Sequence, residues 1–146
     1  MNVRDQLIEF HTAMGQPILD HPTVPSYERI RLRAELVMEE AFEFLLSCFG
    51  DSDEQVMIRI AVRELIAREK PSVDMVGLAD ALADIDYVVE GTRLEFGIDG
   101  RPIADEVHRS NMAKVGGPVR ADGKRMKPEG WTPPDIVGEL RKQGLL

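Results

Sequence analysis

The sequence predicts an all-α fold, a helical bundle that carries one small basic hairpin-like turn near its C-terminal end. Three observations lead there. Apolar residues recur at spacings of three and four, as in Leu7, Phe10 and Met14 or Ile58, Val62, Leu65 and Ile66. Glycine and proline stand between such stretches, at Gly15, Pro17, Gly50, Pro71 and Gly97, where they end helices and start others. Strand signals are confined to one turn, around Asp122-Gly123. With 146 residues, 43% of them apolar, residues 1–146 read as a single domain with a sizeable core.

The formal net charge of −8 argues against a nucleic acid polymer or an anionic membrane as partner, because both are held by basic surfaces. Phosphate chemistry would have to be local and metal-assisted. The lone Cys48 cannot build a disulfide framework, and beside Leu46 and Phe49 it reads as a small core residue, in keeping with a reducing cytoplasm. No apolar run approaches the roughly 20 residues that span a bilayer, so the expectation is a soluble, cytoplasmic protein.

Asn2 can cap a first helix to Met14, which Gly15-Gln16-Pro17 stops. His11 projects near Leu7 and Met14, where a histidine is usually packed and hydrogen-bonded, although Phe10 leaves a base-stacking role open. Residues 16–25 hold three prolines and read as an ordered loop or lid. Ser26 then caps a long helix to Phe49, ended by Gly50.

That long helix organises the chain. At 100° per residue, Glu39, Glu40 and Glu43 fall in the wedge already occupied by Leu32 and Leu36, so acids interrupt an apolar stripe. Val37, Met38, Ala41, Phe42, Phe44 and Leu45 leave no plainly polar face, which predicts burial nearly all round. Few Lys or Arg stand three or four residues away to pair with the glutamates. Like charges crowded in a partly dry place repel and lose hydration, and a hard divalent cation would relieve both costs.

A third helix, residues 54–69, starts behind Asp51-Ser52-Asp53, with Ile58, Val62, Leu65 and Ile66 on its buried side and its charged face towards solvent. Pro71 ends it, and Ser72 or Asp74 caps the next, from Met75 to Phe96. Asp80, Asp84, Val88 and Gly91 form one line along that fourth helix, acids again replacing apolar residues on a face of small ones. Asp86 points the other way, beside Glu90 and Arg93, and reads as solvated.

Pro102 suits the first turn of a fifth helix with Ile103, Val107 and Met112 towards the core. Asn111 and Lys114 share a side at its end, where a lysine could simply cap free carbonyls. The segment after it gathers Arg120, Lys124, Arg125 and Lys127 around the Asp-Gly turn, well placed for a polyphosphate or merely solvated. Trp131 covers a base or anchors the tail. Thr132 and Pro133 start a last helix to Lys142.

Carboxylates from two helices with no soft ligands select Mg²⁺, with Mn²⁺ as the alternative, over zinc or copper. Such ions bind largely through substrate phosphates, and the basic segment completes the pair, which predicts hydrolysis of a nucleoside triphosphate or related anhydride. Walker loops, dinucleotide fingerprints and Cys/His zinc patterns are absent from the sequence.

The chain resembles the MazG-like all-α nucleoside triphosphate pyrophosphohydrolases, relatives of dimeric dUTPases and of phosphoribosyl-ATP pyrophosphohydrolase. The resemblance runs through Glu9-Phe10-His11, the proline loop, Glu39-Glu40-Ala41-Phe42-Glu43, Leu82 to Val88, Glu106 to Lys114, Ala121-Asp122-Gly123-Lys124 and Lys127-Pro128-Glu129-Gly130-Trp131. It implies cleavage between the α and β phosphates to a nucleoside monophosphate and pyrophosphate. It implies that Glu39, Glu40, Glu43 and Asp84 hold Mg²⁺, that Glu39 or Glu40 orients the attacking water, and that Asn111, Lys114, Lys124 and Lys127 face the phosphates. The family's Glu-x-x-Asp has Ala81 at its first position here, so one ligand is missing or Asp80 replaces it. The segment between the acidic helices is longer than usual. A homodimer is expected, and Gly91 suits close helix packing.

Two other readings compete. A di-iron bundle needs Glu-x-x-His pairs, and Phe42 and Glu43 stand where the histidine would be. A helical adaptor or regulator that keeps the fold with weakened catalysis is supported by Ala81.

Overall fold

In the computed structural model, which describes residues 1–118 and 126–145, every regular element is a helix. They are α1 (Val3–Met14), α2 (Tyr27–Phe49), α3 (Asp53–Arg68), α4 (Met75–Phe96), α5 (Gly100–Met112) and α6 (Ile136–Lys142). Local chemistry sets most of the ends. Asn2 Oδ1 accepts from Asp5 N at 2.9 Å, Ser26 Oγ from Arg29 N at 3.4 Å and Ser52 Oγ from Gln55 N at 3.2 Å, each satisfying a free N–H of a first turn. Asp74 Oδ1 accepts from Val76 N at 3.0 Å, which selects it over Ser72. Gly15 closes α1 in the left-handed region, at φ 65°. The last helix begins later than expected, because Asp135 rather than Thr132 takes the cap, accepting from Gly138 N at 2.9 Å.

The expected hairpin-like turn and Lys124 fall within residues 119–125, outside the described residues. At the edge of that segment Met126 N donates to Pro118 O at 2.7 Å, and a Cβ on Gly117 would run into the Met126 carbonyl oxygen. Only glycine fits so close an approach. Among the described residues no helix is long and apolar enough to cross a membrane.

The chain divides into two compact units, Met1–His21 with Ala81–Leu146, and Pro22–Asp80. In the first, α1 packs on α5 and α5 on α6. Buried Gln6 donates to Asp105 Oδ1 at 2.5 Å, and His108 Nε2 pairs with Glu9 Oε2 at 3.1 Å. Asp99 N donates to Gln143 Oε1 at 2.8 Å and Gln143 Nε2 returns to Asp99 O at 3.1 Å, which ties the start of α5 to the end of α6.

In the second unit α2 packs on α3 over Phe42, the one large apolar side chain that is buried among the described residues. Three expectations change here. Burial of α2 nearly all round is not met, since Leu32, Leu36, Phe44, Leu45 and Phe49 are exposed; α3 covers only one stripe of it. On α3, Ile58 and Leu65 are exposed, while Arg59, Val62, Arg63 and Ile66 face α2. Val62 and Ile66 belong to both possible stripes, and the acidic flank of α2 draws in the one that carries arginine. Cys48, expected in the core, is exposed for the same lack of cover.

Candidate functional site

The acids come first. Glu39, Glu40 and Glu43 occupy just over one turn of α2 and are exposed, and Asp80 and Asp84 stand one turn apart on α4, also exposed. Glu39, Glu40, Glu43 and Asp80 belong to the unit Pro22–Asp80 and Asp84 to the other. Glu39 Oε1 accepts from Arg59 Nη2 at 3.3 Å, a partner supplied by α3 rather than by α2 itself. Among the described residues no ion pair forms at Glu40 or Glu43.

The donor set is oxygen only, which fits a hard divalent cation in ligand type. A finished shell is a stricter test, and among the described residues no three His, Cys, Asp or Glu side chains gather into one. Glu40 and Glu43 are left as carboxylates with no ion-pair partner among the described residues.

The basic end lies within the other unit, and there the predicted residues do come together. Lys114 Nζ donates to Asn111 Oδ1 at 2.8 Å, so the two residues that share the end of α5 are joined. Lys127 Nζ lies 3.9 Å from the centroid of the Trp131 ring and Lys114 Nζ 5.6 Å from it. Two ammonium groups thus share one indole, each attraction being worth about 0.5–1 kcal/mol at an exposed site. The Trp131 ring is held in turn by its own N–H, which donates to Ser110 O at 2.9 Å. Of the two roles open to Trp131, the hydrogen bond supports that of an anchor, with the lysines placed by it.

Ser110 is the residue that sequence reasoning passed over. It is 2% exposed and its hydroxyl donates to Thr132 O at 3.0 Å. A serine inside a polar run gives no periodic signal, so only packing reveals it. Beside it Arg109 forks onto Glu106 at 2.7 and 2.8 Å and reaches Pro133 O at 3.2 Å. Glu106 also accepts from Asp135 N at 2.8 Å, and these bonds, that to Arg109 foremost, hold its carboxyl down to about 2.

His11 Nδ1 lies 3.0 Å from Pro17 O, which gives it the packed, hydrogen-bonded role and tethers the start of the proline loop to α1. Asp86, Glu90 and Arg93 line a groove of about 710 Å³ with Leu7, His11 and Ile18, all within one unit. Asp86 is exposed, as expected, and beside it Arg93 Nη1 pairs with Glu90 Oε2 at 2.9 Å on the surface of α4.

Comparison with known proteins fixes the family. The phosphoribosyl-ATP pyrophosphohydrolase family matches residues 7–111, which take in α2, Asp80, Asp84 and Asn111 and end just before Lys114. The chain belongs to that family. This pyrophosphohydrolase is also similar to a protein from Exiguobacterium sp. 255-15, provisionally named an NTP pyrophosphohydrolase and known from a crystal structure at 1.78 Å. The two are 28% identical, with a TM-score of 0.75 over 98% of this chain and 96% of that one. No curated protein matches the chain. The resemblance read from the motifs and the all-helical fold both stand.

Proposed function

We propose that this pyrophosphohydrolase cleaves nucleoside triphosphates between the α and β phosphates, releasing a nucleoside monophosphate and pyrophosphate, with Mg²⁺ or Mn²⁺ as cofactor. The observation that carries the reading is the pair Glu40 and Glu43, exposed on α2 inside the family-matched stretch and left without a cationic partner among the described residues. Glu39, Glu40, Glu43 and Asp84 would hold the cation, with Asp80 replacing the acid absent at Ala81. A bound cation of this kind neutralises phosphate charge and lowers the pKa of a water. Glu39 or Glu40 orients the attacking water and accepts its proton. Lys114, Lys127 and Asn111 face the phosphates, with Lys124, and offset the charge that grows on the departing pyrophosphate. The provisional name of the Exiguobacterium protein supports a triphosphate as substrate. House-cleaning of dUTP or of non-canonical nucleotides fits a chain whose formal net charge is −8.

The same reading makes the protein a cytoplasmic homodimer. Tyr87 and Val76 are 81% exposed on α4 and Leu94 is 75% exposed, an apolar display that one chain leaves bare. A Cβ on Gly91 would meet no atom within 4 Å, so the helix has room for a neighbour there. Burying such faces in a second copy supplies the core that a single chain lacks.

Ala81 favours a second reading, a helical adaptor with weakened catalysis. A panel of nucleoside triphosphates, assayed with Mg²⁺ and with pyrophosphate and orthophosphate measured separately, separates the two. Equal yields of monophosphate and pyrophosphate are expected. Release of orthophosphate alone would overturn the position of cleavage, and no turnover on any nucleotide would favour the adaptor.

A further inference from the structure

Each of the last four carbonyls of α5 has a donor. Ala113 N donates to Arg109 O at 3.0 Å, Lys114 N to Asn111 O at 3.1 Å and Val115 N to Met112 O at 2.9 Å. Ser110 O is served by a side chain, the Trp131 indole N–H at 2.9 Å. Carbonyls left bare at a helix end are what a lysine there commonly caps, and the Lys114 ammonium turns instead to Asn111 Oδ1 at 2.8 Å. An ammonium carries three donors, so others are left over. The chain returns to this point at Lys127. Met126 N donates to Pro118 O at 2.7 Å, and a Cβ on Gly117 would lie 3.1 Å from Lys114 O and 3.2 Å from Pro128 Cδ. Both ammonium groups, 3.9 and 5.6 Å from the Trp131 centroid, fall within the roughly 6 Å over which a ring face attracts a cation. In a chain of net charge −8, no carboxylate among the described residues pairs with either lysine.

We infer that Trp131 is a positioning residue: its N–H caps α5 where a lysine otherwise would, and its ring face gathers Lys114 and Lys127 into a two-ammonium site for inorganic pyrophosphate. The choice of pyrophosphate rests on the reaction proposed above, which releases that anion; the pairing of the lysines does not. Two like charges sharing one neutral ring repel, and an anion with a phosphoryl group for each relieves the repulsion through charge-assisted hydrogen bonds. Asn111 Oδ1 accepts from Lys114, which leaves the Asn111 amide N–H groups as further donors beside it. Lysine side chains are long, and ordering them is a cost that binding ordinarily bears. Holding two of them on the ring before the anion arrives removes that cost, which corresponds to about tenfold in affinity.

Titration of the full chain with sodium pyrophosphate, in EDTA so that no divalent cation takes part, tests this. Calorimetry reads the affinity, and the emission of Trp131, the lone tryptophan, reads the lysines on its ring. The parent should bind pyrophosphate with a change in emission. Trp131→Leu should bind it about tenfold more weakly. Trp131→Phe keeps a ring face and loses the N–H, so it should hold the affinity within about threefold. Urea unfolding should show both variants destabilised, because Ser110 O loses its donor in each. Equal losses of affinity in the two variants, in step with their stability, or full affinity in Trp131→Leu, overturn the positioning role. No pyrophosphate binding by the parent overturns the site itself. Turnover is scored separately: a parent that binds pyrophosphate through Trp131 and cleaves no triphosphate overturns the proposed reaction and leaves this site standing. If Trp131→Leu fails to fold, Lys127→Gln decides. It should abolish the emission change seen in the parent, and an unaltered change overturns the pairing.

Discussion

The indole N–H of Trp131 donates to the Ser110 carbonyl oxygen at 2.9 Å, while the Ser110 hydroxyl donates to the carbonyl of the next residue, Thr132, at 3.0 Å. This reciprocal pair fastens the last turn of α5 to the strap before α6. Because Ser110 is 2% exposed, Ser110→Val should leave the Thr132 carbonyl without its donor and destabilise the protein by about 1–3 kcal/mol. Urea unfolding followed by circular dichroism measures it, and a shift below about 0.5 kcal/mol would mean that the bond contributes little.

Lys114 joins Asn111 and shares the Trp131 ring with Lys127, so its ammonium is held rather than free-swinging. Lys114→Ala should raise KM for the triphosphate by about tenfold, the loss of one charge-assisted contact. Steady-state kinetics with an unchanged KM would return this lysine to helix capping.

Glu43 has no ion-pair partner among the described residues and lies in the stretch proposed to hold Mg²⁺. Glu43→Ala should lower turnover by about 100-fold or more with the helical circular dichroism retained. Full activity would remove it from the site. Asp80→Asn should weaken Mg²⁺ binding if Asp80 stands in for the acid absent at Ala81; equal affinity by calorimetry would reject that substitution.

Glu106 supplies a pH dependence whose sign is fixed. Its carboxyl titrates at about 2 in the folded chain against an ordinary 4.5, chiefly because Arg109 bonds its charged form. The unfolded chain therefore binds the proton more readily, and the stability that Glu106 contributes is complete above about pH 4.5 and lost as pH falls towards about 2. Thermal midpoints of Glu106→Gln should be lower at neutral pH and flatter through that window. A parallel pH profile in parent and variant would contradict the assignment.

Gly91 faces open space on α4. Gly91→Phe should therefore fold yet weaken self-association if this face meets a second copy closely. Light scattering that gives the same mass for variant and parent would move the dimer contact elsewhere.

Much of the fold was legible in the residues alone. The boundaries of α1, α2 and α4 follow from Asn2, Ser26, Gly15, Gly50 and Gly97, because caps and left-handed turns act within a few residues. The sequence also determined the chemistry on offer, oxygen donors on two helices and a basic end at Asn111, Lys114 and Lys127. Tertiary structure decided what sequence left degenerate. Val62 and Ile66 serve two stripes of α3, and only packing on α2 turned Arg59 towards Glu39. Trp131 fits a base or an anchor equally well by composition, and only its bond to Ser110 supports the second. Helix ends are local and can be read along the chain, whereas the partners of Arg59 and Trp131 lie 20 and 21 residues away and are chosen by whichever face the neighbouring segment presents.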